Sequence, residues 1–533
     1  MPMTRRPRLH AALRSSLRAL SPLVVPLAAA LAGWLPASAQ AFEADSLVRQ
    51  KCSGCHAPDA QGRLARIEEM RTTPEEWTVI VDRMRRLHGV KISTADMDQL
   101  LKELASTQLL TPQEQARVSY LSLWHNAQQM EDPAGKDEER FFATCVRCHS
   151  AGKVYSYRMT PKAWAKVRDT HLYTIPTVVF QLREMRWIDE ADAMLGWLAG
   201  QLPYDKPWTA PATRLDGRWG VFGWQPGRGA YRGQAQITDT GKLDYRVSGS
   251  ITHADGLGED FRGEATLYGG YALRTRTVNN GLENMGAFIV EGDRARGEWH
   301  LPAPDFRTAR ATWLRDDGSA KIARVLPGYL LAGEKTTLTV EGLNLPEVRA
   351  ADISFGGAPV KVLSARRIAP DALQIVVQSS GAKVASAALS VKGIAAPALT
   401  LAPRIDHIAI TPETGRARVS VNDDHPAEGV QFEAIAYARE GKRKVALGPV
   451  PASFQLAEEK TREDDDDMRW LGAIQESGNY VPLVDFGSNP TRGLKGENSG
   501  YVKVLAQYRR GKQTYKAQAH LAVTLPDLIG RLR

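Results

Sequence analysis

The strongest constraint in this 533-residue sequence is the placement of its cysteines. All four lie in two Cys-x-x-Cys-His motifs, KCSGCH at 51–56 and TCVRCH at 144–149. The short gap puts both sulfurs on one side of a helical turn, which covalent haem attachment requires; the adjacent histidine then binds the iron. We therefore predict two covalently bound haem c groups. The predicted attachment residues and proximal iron ligands are Cys52, Cys55, His56, Cys145, Cys148 and His149.

Other uses of cysteine pairs fit this pattern less well. A zinc site would have to gather both motifs into one centre across about ninety positions. A thioredoxin-like redox pair needs no histidine at that place and favours a βαβ context, which the sequence lacks. Disulfides are favoured in exported proteins, but the histidine after each pair points to haem.

The first 41 residues have the three-part pattern of a secretory signal peptide. Five arginines precede the apolar run PLVVPLAAALAGWL, and the small-residue cleavage signals Ala-Ser-Ala and Ala-Gln-Ala follow. The run contains Pro22 and Pro26 and is shorter than the roughly 20 residues of a membrane-spanning helix. We predict that residues 1–41 are removed, that the mature chain lies in the periplasm, and that it has no membrane span.

The positive charge of the sequence belongs largely to this leader. Removing its five arginines lowers the formal net charge from +9 to about +4. The mature chain then has only short, mixed basic runs and no clustered basic patch. We therefore expect no nucleic-acid partner.

A duplicated segment follows the two motifs. RTTPEEWTVIVDRM at 71–84 matches RMTPKAWAKVRDTH at 158–171 at a constant offset of 87 residues. Both contain Thr-Pro, which is typical of a helix start. Each copy has a tryptophan seven residues before a side chain able to bind iron, and residues seven apart share a helix face. We predict Met84 and His171 as distal ligands, with His88 and Met159 as alternatives.

These ligands predict two unlike haem sites. The first would be His/Met, through His56 and Met84, and the second bis-His, through His149 and His171. Methionine raises the reduction potential relative to two imidazoles, so electrons would enter at the second haem and leave from the first. Six-coordinate iron has no open position for oxygen or peroxide. This pattern favours an electron relay with no catalytic residues on this chain.

A further helix is predicted after each ligand helix, at 92–105 and 188–200, with Ser93 and Asp189 as N-caps. We therefore predict an all-α dihaem cytochrome c domain at 42–203. Its two repeats would span about 42–110 and 135–203.

From residue 204 onward, short alternating runs separated by glycine predict β-structure. We expect an antiparallel barrel or sandwich at 204–318 and immunoglobulin-like sandwiches at 319–403 and 404–533. The fold class is thus multidomain, with an all-α part followed by all-β domains. The acidic run EDDDD at 463–467 lacks the spaced ligands of a calcium loop, so we interpret it as a solvated loop.

This layout of two haem motifs, paired tryptophan helices and three β domains resembles the alpha subunit of quinohemoprotein amine dehydrogenase over nearly the whole mature length. The resemblance implies a periplasmic heterotrimer with a β-propeller chain and a small subunit. That small subunit would carry cysteine tryptophylquinone and the catalytic base. The present chain would then relay electrons from the oxidative deamination of primary amines to a soluble cupredoxin or cytochrome c.

Three alternatives remain open from the sequence. A dihaem cytochrome c peroxidase-like enzyme would need one iron with an open position. A stand-alone dihaem electron carrier would purify without partner chains. A binding module would use its β-sandwiches to recognise a polymer or a membrane surface, with the haems in a side role.

Overall fold

The computed structural model of this chain describes residues 42–121, 131, 133–147, 149–174, 178–204, 210–300, 308–420, 427–461, 463, 465–483 and 499–524. The predicted signal peptide and Cys148 lie outside the described residues. Among the described residues, no helix is both long and apolar enough to span a membrane.

The N-terminal part of the described chain is helical. Two short strands, β1 (Met70–Arg71) and β2 (Arg158–Met159), connect its halves. The helices are α1 (Leu47–Cys52), α2 (Pro74–His88), α3 (Thr94–Thr107), α4 (Pro112–Ala116), α5 (Lys136–Cys145), α6 (Ala151–Tyr155), α7 (Pro161–Thr174), α8 (Val178–Glu184) and α9 (Trp187–Gln201).

Local sequence signals explain where several helices begin and end. Helix α2 has Thr73 as N-cap and Pro74 in its first turn, and it ends at Gly89, whose φ of 68° suits a glycine. Ser93 caps α3 in a capping box, as the sequence predicts. The prediction of Asp189 as an N-cap is wrong, because α9 already begins at Trp187 and Asp189 lies in its first turn.

The two halves meet at a short antiparallel ribbon. Strands β1 and β2 pair so that Arg71 lies opposite Arg158, its equivalent in the duplicated segment. The two strands are therefore related by a local, approximate two-fold axis at the paired arginines. Met70 of β1 packs against the hydrophobic cores of both repeats.

A buried ion cluster lies at this junction. The carboxylate of Glu114, on α4, accepts hydrogen bonds from Arg71 Nη1 at 2.7 Å and from Arg158 Nε at 2.9 Å. All three side chains are at least nine-tenths buried. Burial by itself raises the pKa of Glu114, but the bonds from Arg71 and from the Thr111 amide, with the charges of Arg71 and Arg158, lower it to about 2. One carboxylate thus binds the equivalent arginines of both repeats.

The following segment forms a closed eight-stranded antiparallel barrel, in the order β10-β3-β4-β5-β6-β7-β8-β9. Its interior is filled by aromatic side chains, including Trp219, Phe261, Trp299 and Trp313. The strands are β3 (Gly217–Gln225), β4 (Gly229–Gly241), β5 (Asp244–His253), β6 (Gly258–Tyr268), β7 (Ala272–Asn279), β8 (Leu282–Glu291), β9 (Arg294–His300) and β10 (Thr308–Arg315).

The barrel supports the first helical repeat. Arg274 of β7 pairs with Glu75 of α2 at 2.5 Å, and Lys102 of α3 pairs with Asp244 of β5 at 2.6 Å. The Tyr271 hydroxyl donates a hydrogen bond to the carbonyl of Leu110. These contacts fix the helix that carries Met84 against the barrel wall.

Two further groups of sheets complete the chain. Each is arranged around its own hydrophobic core, one at 322–401 and the other mainly at 402–523. The first group contains β11 (Lys321–Leu326), β12 (Tyr329–Leu331), β13 (Lys335–Leu343), β14 (Ile353–Ser354), β15 (Val360–Ala369), β16 (Ala372–Ser379), β17 (Ala385–Ala387), β18 (Ser390–Val391), β19 (Ile394–Ala395) and β20 (Leu399–Ala402). They form the sheets β11-β13-β16-β15, β12-β20-β17 and β14-β18-β19.

The last group contains a short helix, α10 (Asp467–Trp470), within a second set of sheets. Its strands are β21 (His407–Thr411), β22 (Thr414–Arg418), β23 (Val430–Gln431), β24 (Glu433–Glu440), β25 (Arg443–Pro449), β26 (Ser453–Glu458), β27 (Gly472–Ile474), β28 (Asn479–Pro482), β29 (Gly500–Arg510) and β30 (Gln513–Thr524). They form the sheets β21-β24-β25, β22-β30-β29-β26 and β23-β28-β27.

The interpretation of the whole acidic run at 463–467 as solvated is wrong at its end. Asp467 is fully buried, and its carboxylate accepts the backbone N–H of Tyr501 at 2.8 Å. It thereby joins α10 to β29 and has a structural role.

The ion cluster at the junction gives a stability prediction. Replacing Glu114 with Gln leaves Arg71 and Arg158 buried without their counter-charge, so we expect a loss of about 3 kcal/mol in the free energy of unfolding of the helical part. Glu190→Gln is the matched control. Glu190 pairs with Arg140 on the exposed surface and should have little effect in the same urea titration.

The same cluster predicts a pH dependence. Because the pKa of Glu114 falls from 4.5 to about 2 on folding, its stabilising contribution is complete above pH 4.5 and is lost as the pH falls from 4.5 towards 2. The Glu114→Gln variant should therefore lose less stability than the wild type over that range. Equal acid sensitivity of the two proteins would contradict the assigned role of the cluster.

Candidate functional site

The first Cys-x-x-Cys-His motif forms a turn at the end of α1. The backbone N–H groups of Cys55 and His56 both donate to the carbonyl of Cys52, at 3.2 and 2.9 Å. Cys52 is half-buried against the core that contains Trp77, whereas Cys55 is exposed. The motif thus places the Cys52 thiol against the core and the Cys55 thiol at the surface.

His56 is oriented for metal binding by a backbone contact. Its Nδ1 lies 2.9 Å from the carbonyl oxygen of Ala65. A carbonyl only accepts, so Nδ1 carries the proton and Nε2 is left as the metal-binding nitrogen. The same arrangement recurs in the second motif, where His149 Nδ1 lies 3.1 Å from the carbonyl of Ser150.

The second motif follows α5 in the same way. Cys145 is the last residue of α5 and packs, half-buried, against the core that contains Phe141 and Trp164. The carboxylate of Glu131 accepts the backbone N–H groups of Ala151 and Gly152, and so holds the start of α6 directly after His149. The sequence predictions for Cys148 lie outside the described residues.

The structure brings His149 and His171 together. Their ring centroids are 6.4 Å apart, with an interplanar angle of 59°. His171 Nδ1 donates to the carbonyl of Val167 at 2.8 Å, so its free nitrogen is also Nε2. A metal–nitrogen bond to histidine is about 2 Å long. Two such bonds, plus the distance from each bound nitrogen to the centre of its own ring, give an expected separation of roughly 6 Å between the two ring centroids. The spacing therefore fits one iron ion between the two imidazoles.

Burial favours the form of histidine that binds metals. Desolvation, partly offset by the bond to Ser150, lowers the pKa of His149, and His171 lowers it further. His149 is therefore neutral at pH 7, as a metal ligand must be. Burial also raises the pKa of Cys52 to about 11 and of Cys145 to about 12.

Trp187 is a site residue that the sequence did not reveal. Its ring lies 6.1 Å from that of His171, and its Nε1 donates to the carbonyl of Thr144, next to Cys145. It thereby connects the predicted distal ligand to the helix that carries the attachment cysteine. The available signal was an aromatic residue just before the periodic run at 188–200.

The residues predicted for the other distal position differ in burial. Met84 is half-buried on α2, two turns after Trp77, whose Nε1 donates to the carbonyl of Gln108 at 2.8 Å. His88 is exposed at the end of the helix. Met159 is buried in the core of the second repeat and pairs with Met70 across the ribbon. Of these three residues, Met84 alone combines partial burial with the helix face of Trp77.

The two motifs belong to separate sites. Cys52 packs in the core of the first repeat and Cys145 in that of the second. Among the residues that the structure describes, no group of three or more His, Cys, Asp or Glu side chains is placed to hold a metal ion. The arrangement therefore does not support a single zinc site built from both motifs.

Comparison with known families gives three matches along the chain. The haem-binding model of the quinohemoprotein amine dehydrogenase alpha subunit matches residues 42–208. Models of domain II and domain IV of the same subunit match residues 212–313 and 408–531. The chain belongs to this family of alpha subunits. The resemblance drawn from the sequence is thus confirmed, and the quinohemoprotein amine dehydrogenase haem-binding domain coincides with the helical part.

Comparisons with individual proteins add little to the family assignment. No curated protein matches the chain. Among solved structures, a redesigned β-barrel, mFAP1, bound to DFHBI is 16% identical, covering 19% of this chain and 94% of its own, with a TM-score of 0.18. Rv2717c from M. tuberculosis is 13% identical, covering 31% and 92%, with a TM-score of 0.14. Mouse protocadherin-24 EC1-3 is 10% identical, covering 44% and 80%, with a TM-score of 0.17.

Glu114 is a second residue that the sequence analysis missed. Its signal was present, because Thr111-Pro112-Gln113-Glu114 is a capping-box sequence after a third Thr-Pro helix start. A cap alone, however, does not reveal that the carboxylate also binds one arginine from each repeat.

Proposed function

We propose that this chain is the periplasmic dihaem electron-transfer subunit of a quinohemoprotein amine dehydrogenase. It would accept electrons from a cysteine tryptophylquinone on a small partner subunit, after that subunit oxidises a primary amine. It would pass them to a soluble cupredoxin or cytochrome c. The β-propeller subunit would complete the heterotrimer, and the β domains of this chain, two of them immunoglobulin-like, would provide docking surfaces.

The observation that carries this proposal is the pair of imidazoles at the second motif. His149 and His171 lie in different segments of the second repeat, 22 positions apart in the sequence. Even so, their ring centroids lie 6.4 Å apart, and both Nδ1 atoms are bonded to backbone carbonyls. Two histidines with free Nε2 atoms at this spacing could both bind one haem iron.

Each site would use two cysteines to attach the haem and two further residues to bind its iron. Cys52 and Cys55 would form the thioethers at the first site, where His56 and Met84 would be the axial ligands. Cys145 and Cys148 would form them at the second, with His149 and His171 as ligands. Bound there, haem would supply one-electron redox chemistry. Ala65, Ser150 and Val167 hold the imidazoles in the metal-binding tautomer through their carbonyls.

The two sites would differ in reduction potential because their distal ligands differ. A thioether favours the reduced metal more than a second imidazole does, so Met84 would make the first site the more oxidising. The first site is also the one whose helices contact the barrel.

The same geometry opposes the peroxidase-like alternative at the second site. A peroxidase needs an iron with one open position, whereas His171 would fill that position if it bound the iron. Trp187 packs against the His171 ring and supports it there. A stand-alone carrier remains the runner-up, because it would use the same ligands without partner subunits.

Reciprocal ligand exchange tests the two distal assignments. His171→Met should raise the potential of the second haem, and Met84→His should lower that of the first, each by on the order of 0.1 V. His88→Ala is the control, because His88 is exposed at the end of α2 and should leave both potentials unchanged. A shift of the first-haem potential caused by His88→Ala, with none from Met84→His, would make His88 the distal ligand of the first haem in place of Met84.

The proposed function is tested by reduction with amine. In the purified complex, a primary amine should reduce the haems of this chain, as followed by their visible absorption bands. The separated chain should not react with the amine, because the quinone lies on the partner. If the separated and reduced chain instead reacted rapidly with peroxide, or purified in good yield without partner chains, the dehydrogenase assignment would be contradicted.

A further inference from the structure

Three buried hydrogen-bond donors in the described helical part have no acceptor. They are Nε of Arg71, Nε of Arg83 and Nε1 of Trp164. Arg71 already binds Glu114 through its other two nitrogens, so Arg83 and Trp164 are the two donors that need an explanation. The Trp164 side chain is 2% exposed, so water does not readily reach its N–H. Burying a donor without an acceptor is unfavourable, and such groups in native proteins often mark a ligand.

The duplicated segment provides an internal comparison. Trp77 is the equivalent of Trp164, equally buried, and its Nε1 donates to the carbonyl of Gln108 at 2.8 Å. The two copies thus place the same indole in the same kind of core, yet only the first copy supplies a protein acceptor. The second indole is therefore available to an acceptor that is not part of the described protein.

Trp164 lies within the second haem-binding repeat. It belongs to the hydrophobic cluster that also contains Phe141, Ala151 and the attachment residue Cys145. It shares a face of α7 with His171, two turns further along. An acceptor for its N–H would therefore lie close to the group attached at Cys145.

Arg83 approaches the same repeat from the first one. It follows Glu76 by seven residues, so the two share a face of α2. The Glu76 carboxylate accepts the Tyr157 hydroxyl at 2.6 Å and pairs with Lys153, so this face is directed at the second repeat. Burial and Glu76 raise the pKa of Tyr157, and the positive charge of Arg83 acts in the opposite direction. Tyr157 itself packs against the cluster of Trp164.

We propose that Trp164 and Arg83 form a carboxylate-binding site for a propionate of the haem attached at Cys145–His149. This inference rests on the proposed function, which places a haem there. An indole N–H and a guanidinium suit a carboxylate, because a charged acceptor forms stronger hydrogen bonds and needs a counter-charge where water is excluded. Arg83 belongs to the first repeat, so the site would bind the second haem to both repeats.

The test removes each donor separately in the full haem-loaded chain. Trp164→Phe keeps an aromatic ring and removes the N–H, and Arg83→Gln removes the charge. Without these donors the propionate charge is less compensated and favours ferric iron. At an applied potential equal to the wild-type midpoint of the second haem, we expect the ferrous-to-ferric ratio of that haem to fall roughly three- to tenfold in each variant. The propionate bending band in the resonance Raman spectrum should also shift.

Each variant has a matched control. Trp77→Phe makes the same chemical change in the first repeat, where it breaks a bond to a protein carbonyl; it should lower the unfolding temperature and leave the second haem unchanged. Arg86→Gln removes an exposed arginine from the same helix, paired with Asp82, and should also leave the second haem unchanged.

Three results would overturn the inference. The first is an unchanged second-haem potential and Raman band in a folded Trp164→Phe variant. The second is a shift of the first haem, and not the second, in Arg83→Gln. The third is an equal shift in either control. If the wild-type chain instead carries no thioether-linked haem, as measured by its mass and pyridine haemochrome spectrum, the proposed function fails first.

Discussion

The helical part depends on one buried carboxylate. Glu114 is the point at which Arg71 of the first repeat and Arg158 of the second meet, in a region from which water is excluded. Removing a charged partner from such a cluster is costly, so the relative position of the repeats is strongly constrained. Each repeat carries one Cys-x-x-Cys-His motif, so this constraint also sets the geometry between the two predicted haem sites.

Around that junction, the chain fixes its site residues through backbone contacts. Carbonyl groups of Ala65, Ser150 and Val167 each accept the Nδ1–H of a predicted iron ligand. Backbone acceptors of this kind move little, and they fix both the tautomer and the ring orientation before any metal is bound. The barrel adds a second level of support, because its ion pairs with α2 and α3 hold the first repeat. An electron-transfer protein benefits from such rigidity, since little reorganisation accompanies a change in charge.

The sequence predicted the parts of this arrangement that depend on local spacing. The motifs, the duplicated segment, the placement of Trp164 and His171 on one helix face and the Ser93 cap were all readable from residue offsets and helix periodicity. The β-structure after residue 204 followed from alternation and glycine, but alternation alone does not distinguish a barrel from a sandwich, because closure depends on how the first and last strands pair. In the structure β3 pairs with β10 and closes the barrel.

The roles of Glu114 and Trp187 were not predictable, because their partners lie far away along the chain. The burial of Asp467 depends likewise on a distant strand.

The account as a whole requires two haem sites of unlike ligation on one polypeptide. Near-infrared magnetic circular dichroism during a redox titration of the mature chain tests this most directly, because it reports the axial ligands of each haem as that haem is reduced. The account predicts two one-electron steps: a higher-potential centre with one thioether and one imidazole, and a lower-potential centre with two imidazoles. Two identical centres, or a high-spin centre with an open axial position, would contradict it.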